Sequence, residues 1–514
     1  MPSRSTIGYA CTAAALAVVA AIAYDAIPDL PLAPQSDEPK KADFVLAGRQ
    51  DFLQPLLLVQ TVRLANLIAR YTDQLALVEL GRTVAAMFGG LTVLATIVLA
   101  LALAAGVLAA VPPLVAFHAQ LLKEDIFLAP WLLFALAALD RLRESAETRR
   151  ALAFGLLVGL ATSAKYIGIV LLPLACVVPL IAPIADVRRY YAGLAWSTAA
   201  AAVVFALVNA PAFLTPGLFL RGLDTEIAHA LSDHIVVWHG WYSHFLFHWT
   251  TSLWPGLGPT LALAGFGGAI AVAIDWRSSP PAIRLVLVFA VLWYIMHELS
   301  PMKPLMAIER HMTVMGGLVA VLAVGLVARV CNRASGAWRP ALAASAVVVL
   351  AAPPAFTTIA IARSAPHDTR SMIERLRAAL DGRDAVDWYA SFPAHGHYPP
   401  LTTVDGATEY VVLVEETANR FVRAGTFPRQ SERVRAYARA YGELLAQPAI
   451  LVESTVGAFS YRNVPLRIVA LRSNAARLEA VLSRLGPLPD IRLTLVPRRA
   501  PAAATETRRP AEPE

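Results

Sequence analysis

Long apolar segments follow one another from residue 7 to residue 361, and this succession constrains the fold more than any other feature. A transmembrane helix needs about 20 apolar residues. Charged residues make up only 16% of the chain, whereas about 25% is usual. We therefore predict a mainly α, polytopic membrane protein with about eleven transmembrane helices. The predicted spans are residues 7–24, 84–101, 103–119, 126–140, 151–164, 166–184, 193–213, 257–274, 283–299, 312–330 and 340–361.

The first apolar segment has two interpretations. Arg4, an apolar core and small residues are typical of a cleaved signal peptide, but also of an uncleaved first transmembrane helix. The helix is favoured because it makes the number of spans consistent with the orientation of the later loops.

Orientation follows from the distribution of lysine and arginine, which collect in cytoplasmic loops. Short arginine-rich loops are predicted to be cytoplasmic, at residues 140–150, 186–191, 275–284 and 328–340. The first outer loop, 25–83, and the second, 214–256, then lie outside the cytoplasmic (inner) membrane, as does everything after 362. The net charge of +7 is spread over such loops, so no nucleic-acid partner is predicted.

The chain is predicted to contain a transmembrane module, residues 1–361, and an extracytoplasmic α/β domain, residues 362–495. Residues 496–514, rich in proline and alanine, are expected to be disordered. In the second domain the pattern predicts strands at 410–416, 449–454 and 466–472 and helices at 374–385 and 434–446. Within the first outer loop, residues 52–70 have the amphipathic spacing of a helix on the membrane surface, or of an ordinary buried helix.

Ionisable residues near membrane segments are costly and tend to mark functional sites. Several clusters fall on the predicted outer side of this chain. They are Asp37 with Glu38, then Lys123, Glu124 and Asp125, then Lys165, and finally Lys303, Glu309, Arg310 and His311. A carboxylate can accept a proton from an attacking hydroxyl or amine, and cations can hold a departing phosphate. The pattern indicates group transfer from an anionic, lipid-linked substrate.

Four segments occur in an order that resembles the GT-C glycosyltransferases: SDEPKKADF, HAQLLKEDIFLAPWLLFAL, GLATSAKYIGIVLLP and KPLMAIERHM. The similar subgroup comprises the polyprenyl-phosphate-dependent enzymes of glycosyltransferase family 39 type, which are protein mannosyltransferase-like or aminoarabinose transferase-like. The resemblance extends over about residues 1–330. It implies a GT-C fold and transfer of a sugar from a polyprenyl-phosphate donor to an extracytoplasmic acceptor, with inversion.

The same resemblance implies roles for individual residues. Asp37 would be the catalytic base, with Glu38 beside it. Lys303 and Arg310 would hold the lipid phosphate. The remaining substrate-binding candidates are Lys123, Glu124, Asp125, Lys165 and His311. Lys40 and Lys41 depart from the family pattern, in which aromatic residues are frequent, and this leaves the donor contacts of the first loop open.

Simpler explanations stay open for each cluster. Residues 36–39 would also suit the start of a helix, the 123–125 triplet would suit the end of a span, and Lys303 with Arg310 would suit the membrane interface. Glu124 and Asp125 are the candidates for a divalent cation, but two carboxylates are fewer than such an ion usually needs. No other cofactor is predicted. The histidines of the second loop are His229, His234, His239, His244 and His248, and their spacing favours an aromatic lid or lipid contact over a zinc site.

Two other functions are weighed against glycosyl transfer. A secondary transporter or lipid flippase would show internal repeats and charges at the bilayer midplane, whereas these charges lie at span ends. A lipid-linked glycan ligase would place its large loop late in the chain. The expected partners are therefore a polyprenyl-phosphate-linked sugar, the lipid bilayer and an acceptor that the sequence does not identify.

Overall fold

The computed structural model describes most of the first 364 residues and parts of the remainder. The described residues are 4–25, 38–48, 50–231, 246–300, 308–333, 338–364, 384–386, 409–415, 418–419, 421–422, 432–454, 466–471, 475–485 and 491–497. The chain divides into two compact units, which consist mainly of Met1–Pro366 and His367–Glu514. Of the predicted disordered tail, all but residues 496 and 497 lies outside the described part.

Described residues of the first unit form helices and no strand. The helices are α1 Arg4–Asp25, α2 Glu38–Ala47, α3 Leu57–Ala69, α4 Gln74–Ala100, α5 Leu103–Ala110, α6 Pro113–Ala116, α7 Glu124–Glu144, α8 Thr148–Ala164, α9 Leu171–Ile181, α10 Val187–Val208, α11 Ala210–Leu214, α12 Pro216–Leu231, α13 Trp254–Leu257, α14 Pro259–Ile274, α15 Pro281–Glu298, α16 Thr313–Cys331 and α17 Trp338–Ser364. Short 3-10 turns cover His118–Gln120, Tyr166–Val170 and Ile308–Met312, and a π-helical turn covers Trp249–Leu253.

Six helices in the described residues are long and apolar enough to cross a membrane. They are α1, α4, α10, α15, α16 with the turn before it, and α17. Two bent pairs raise the number to eight if each is one span. The predicted spans 126–140, 151–164 and 166–184 also form helices, namely α7, α8 and α9 with its preceding turn. A multi-pass membrane protein is therefore supported, while the number eleven stays a prediction.

The bent pairs include the spans predicted at 103–119 and 257–274, and the second of these spans corresponds mainly to α14. The first bends by 68° between α5 and α6, where Pro112 precedes Pro113 at the first position of α6. Proline lacks the N–H that a continuous helix would use. The second bends by 111° at Gly258, whose φ of +74° is readily adopted only by glycine.

Helix α4 is the centre of the first unit and packs against α1, α5, α7 and α16. It begins at Gln74, ten residues before the predicted span, because Asp73 caps its first turn by accepting a hydrogen bond from the Ala76 N–H at 2.8 Å. The extra turns carry Arg82 into the interior of the bundle.

The second unit contains a five-stranded sheet in the order β1-β2-β4-β3-β5, with β1 parallel to β2 and the other pairs antiparallel. The strands are β1 Asp384–Val386, β2 Tyr410–Val414, β3 Ala449–Ser454, β4 Leu466–Ala470 and β5 Ile491–Val496. Two amphipathic helices, α18 Glu432–Leu445 and α19 Ala475–Leu485, belong to the same unit. The predicted α/β character is confirmed. The helix predicted at 374–385 is wrong at its end, where β1 begins at Asp384, and its other residues lie outside the described part.

Helices α8 and α10 pack closely at Gly155, where a Cβ atom would lie 2.2 Å from the Ser197 carbonyl oxygen. We expect Gly155→Ala to lower the free energy of unfolding by about 1–3 kcal/mol, the usual cost of an overpacked contact. Gly325→Ala on α16 is the control, because nothing lies within 4 Å of the added methyl group. Thermal unfolding in detergent measures both variants, and equal shifts would contradict the close contact.

Candidate active site

One buried carboxylate joins three parts of the first unit. Asp125, in the first turn of α7, is only 6% exposed. Its Oδ1 lies 2.8 Å from the Lys165 Nζ, and its Oδ2 lies 3.2 Å from the Arg310 Nε. The His311 Nε2 is 4.0 Å from Oδ1. The structure therefore brings together residues that are separated by as many as 186 positions along the chain.

Local structure explains why these side chains converge. Lys165 follows the last residue of α8 and has an extended backbone, which turns its side chain away from the helix. Arg310 and His311 lie in the 3-10 turn that precedes α16. The N-terminal dipole of α7 and two cations all favour the ionised form of Asp125. This cluster, Asp125 with Lys165, Arg310 and His311, is called the Asp125 cluster below.

The adjacent Glu124 has a different partner. Its Oε1 lies 2.7 Å from the Lys41 Nζ, which comes from α2 in the first predicted outer loop. Neighbouring acidic residues at the start of one helix therefore contact different elements of the fold. Glu124 joins it to the first loop, whereas Asp125 joins it to the ends of α8 and of the segment before α16.

Glu38 is completely buried and does not extend into an open site. Its carboxylate accepts hydrogen bonds from the Arg82 Nε at 3.2 Å and Nη2 at 2.8 Å, and from the Leu122 backbone N–H at 2.9 Å. Burial of a carboxylate requires such partners. The arrangement favours a structural part for Glu38 over direct catalysis.

Several predicted site residues lie wholly or partly outside the described part of the chain. Asp37 and Lys303 lie outside the described residues, as do His234, His239 and His244, and the side chain of His229 is also outside them. Lys123, which precedes α7, is buried with 2% exposure.

The end of the second predicted outer loop, residues 246–256, is largely helical and only partly buried, because Leu246, Thr250 and Trp254 are exposed. The expected lid or lipid contact stays a prediction. The ring nitrogen Nδ1 of His248 lies 2.9 Å from the Ser252 Oγ, and its backbone N–H donates to the Glu298 carboxylate at 2.6 Å. His248 is 1% exposed, and Ser252 is completely buried.

The contacts that Lys41, Arg82 and His297 make in the site were not predicted from the sequence. Arg82 had a detectable signal, because it is the last charged residue before Lys123 in a long apolar stretch. His297 is buried on α15, with its ring centroid 5.6 Å from that of His311. The Trp293 ring lies tilted against the His297 ring, with 4.7 Å between the ring centroids, and its Nε1 donates a hydrogen bond to the His311 carbonyl at 2.9 Å.

Within the described residues, no group of three or more histidine, cysteine or acidic side chains is arranged to hold a metal ion. Glu124 and Asp125, the candidates for a divalent cation, instead contact Lys41, Lys165 and Arg310.

The fold of this chain is that of the GT-C glycosyltransferases. No protein-family model matches the sequence, and no curated protein matches it at a significant level. The similarity is instead structural, and it confirms the fold that the sequence resemblance implied.

Two solved enzymes illustrate this similarity. The oligosaccharyltransferase of Archaeoglobus fulgidus, tethered to an acceptor peptide containing an NVT sequon, has a TM-score of 0.55 and 12% identity over 87% of this chain and 74% of that one. The same enzyme in complex with an inhibitory peptide and a dolichol-phosphate has a TM-score of 0.52. ArnT of Cupriavidus metallidurans bound to undecaprenyl phosphate has a TM-score of 0.51 and 13% identity over 91% of this chain and 99% of that one.

Neutralising Asp125 tests whether it holds the cluster together. We expect Asp125→Asn to lower the free energy of unfolding by about 3–5 kcal/mol, because Lys165 and Arg310 would face each other without the intervening charge. Asp140→Asn, on the same helix, should cost about 1 kcal/mol or less, since its partner Arg143 also contacts Glu144 at 3.5 Å. Thermal unfolding in detergent compares them, and a smaller loss for Asp125→Asn would contradict the assignment.

Proposed function

We propose that this protein is an integral membrane glycosyltransferase that moves a sugar from a polyprenyl-phosphate donor to an extracytoplasmic acceptor. One observation carries the proposal. Asp125 gathers Lys165 and Arg310 at the start of a helix that is otherwise mostly apolar, and the neighbouring Glu124 joins this site to the helix that follows Asp37. The first loop and the cationic cluster thus belong to one connected structure.

The donor phosphate is assigned to the Asp125 cluster. Two cations share a single carboxylate there, so the three side chains carry a net positive charge that suits an anion. The fold supports this assignment, because ArnT has been solved with undecaprenyl phosphate and the archaeal oligosaccharyltransferase with a dolichol-phosphate. Lys123, Lys303 and His311 complete the proposed donor side.

The acceptor is assigned to the Asp37 side. The Asp37 carboxylate takes the proton from an acceptor hydroxyl or amine, and the freed lone pair attacks the anomeric carbon of the sugar. The bond from that carbon to the phosphate oxygen breaks, and the polyprenyl phosphate leaves with the electron pair. Attack opposite the leaving group inverts the anomeric centre. Arg310 and Lys303 stabilise the negative charge of the departing phosphate.

The proposal includes an orientation in the membrane. The protein crosses the cytoplasmic (inner) membrane about eleven times, with the arginine-rich loops inside and the acidic and basic clusters outside. The transmembrane module is residues 1–361. The α/β domain, residues 362–495, lies on the outer side of the membrane. The surface helix predicted at 52–70 corresponds to α3, which exposes Leu64, Leu67 and Ile68, and these side chains suit contact with lipid.

Transfer by purified protein in liposomes tests the function directly. We expect the wild-type protein to transfer sugar from a polyprenyl-phosphate donor pool prepared from bacterial membranes, and Asp37→Asn to lower the rate at least about 100-fold because the base is lost. Asp43→Asn is the control, since Asp43 lies on the same loop and contacts Gln74 at its exposed end. Normal turnover by Asp37→Asn would remove Asp37 as the base. Absence of transfer by the wild-type protein with every sugar of the pool would contradict the proposed function.

Reporter fusions test the orientation. Fusions at Arg143 and Arg333 should report a cytoplasmic location, and a fusion at Asp387 should report the opposite side, because arginine-rich loops are retained in the cytoplasm. A reporter active only outside the cytoplasm, paired with one active only inside, measures both directions. The reverse pattern would place the acidic clusters where no such donor is expected.

A further inference from the structure

Both backbone polar groups of one residue before α7, Leu122, are hydrogen-bonded to side chains of α2. The Leu122 N–H donates to the Glu38 Oε1 at 2.9 Å, and the Leu122 carbonyl accepts from the Lys41 Nζ at 2.9 Å. Glu38 and Lys41 are three residues apart on α2, so their side chains project from the same face. The two groups that a regular helix or strand would satisfy are satisfied here by two side chains of opposite charge.

The Leu122 side chain is fixed as well. It is completely buried and packs on Gly81 of α4, where a Cβ atom would lie 2.6 Å from the leucine Cδ2. Arg82, the next residue of α4, binds Glu38. The same two neighbouring residues of α4 therefore support the leucine and the carboxylate that binds its N–H.

The position of Leu122 links two parts of the site. Three residues after it, Asp125 holds Lys165 and Arg310. At the other end of the contact, Glu38 follows Asp37 directly in the chain. Any shift of α2 against the turn at Leu122 would therefore change the separation between the Asp37 side and the Asp125 cluster.

We propose that Glu38 and Lys41 form a clamp on the backbone N–H and carbonyl of Leu122 and act as positioning residues, with Glu124 anchoring Lys41. The clamp sets the distance between the first loop and the Asp125 cluster. This inference rests on the proposed glycosyl transfer for its catalytic consequence. It also changes the role expected for Glu124: its carboxylate holds Lys41 and does not bind the donor directly.

Lys41 suits this position because it makes two different contacts at once. Its ammonium group donates to the Leu122 carbonyl and lies 2.7 Å from the Glu124 carboxylate. An aromatic side chain at this position would have no charge to offer Glu124. Lys40 differs sharply, since its side chain is about half exposed and pairs with Asp51. The two adjacent lysines therefore form a matched pair for experiment.

The first test is a double-mutant cycle of Lys41→Met, Glu124→Gln and the double variant in the liposome assay. We expect each single change to lower kcat by about tenfold or more, because a charged hydrogen bond is lost and the reacting groups are displaced. The donor KM should stay within about twofold. The double variant should be no slower than the slower single variant, because both remove the same contact. Lys41→Arg should restore part of the rate.

Two controls give this pattern its meaning. Lys40→Met should change kcat and KM by no more than about twofold, as at an exposed position. Arg310→Ala, which removes the proposed phosphate contact, should raise the donor KM by about tenfold or more. Fully additive losses in the cycle, or a donor KM in Glu124→Gln that rises as in Arg310→Ala, would overturn the clamp.

A second test needs no activity. Hydrogen–deuterium exchange of the peptide that covers residues 118–126 should be faster in Glu38→Gln and Lys41→Met than in the wild type, and unchanged in Lys40→Met. If Lys41→Met cannot be recovered from membranes, Lys41→Gln replaces it. Unchanged exchange in the clamp variants would overturn the proposal. Faster exchange in a protein that transfers no sugar would uphold the clamp and reject the glycosyltransferase function.

Discussion

Burial of charge controls the arrangement of this site. An ionised side chain in an apolar setting is strongly destabilising unless an opposite charge and hydrogen bonds compensate it. Asp125 meets this requirement with Lys165 and Arg310, Glu38 with Arg82, and Glu124 with Lys41. Each pair joins elements that are distant in sequence. The pairs therefore hold helices in one relative position as well as neutralising one another, so the geometry of the proposed reaction follows from the same contacts that make the charges tolerable.

Much of this arrangement was predictable because membrane segments leave a strong signal in sequence. Long apolar runs predicted the helical class. Ionisable residues at the ends of those runs made Asp125, Lys165 and Arg310 candidates for one site, and the structure places Lys165 and Arg310 in contact with Asp125. The boundaries were less predictable. Pro112, Pro113 and Gly258 turn two apolar runs into bent pairs, and hydropathy does not distinguish a bend from a straight span.

The pairing within the site could not be predicted. Glu124 and Asp125 are adjacent and chemically alike, yet they contact different elements, because successive residues of a helix point about 100° apart. Sequence spacing does not predict which element of the fold each of these two side chains contacts. Glu38 illustrates the same limit: its place beside Asp37 suggested catalysis, whereas Arg82 and the Leu122 N–H surround its carboxylate. Arg82 was detectable as the last charged residue before a long apolar stretch, but its partner was not.

The turn at residues 121–123 also bears on biogenesis. Backbone that is not helical is tolerated at the edge of a bilayer only when its polar groups are satisfied by protein or water. At Leu122 those groups are satisfied by α2, which the ribosome delivers much earlier in the chain. The shape of this turn therefore depends on a helix that lies about 80 positions earlier in the chain. An apolar segment can form its helix from its own backbone hydrogen bonds, whereas this turn is complete only when α2 has packed against it.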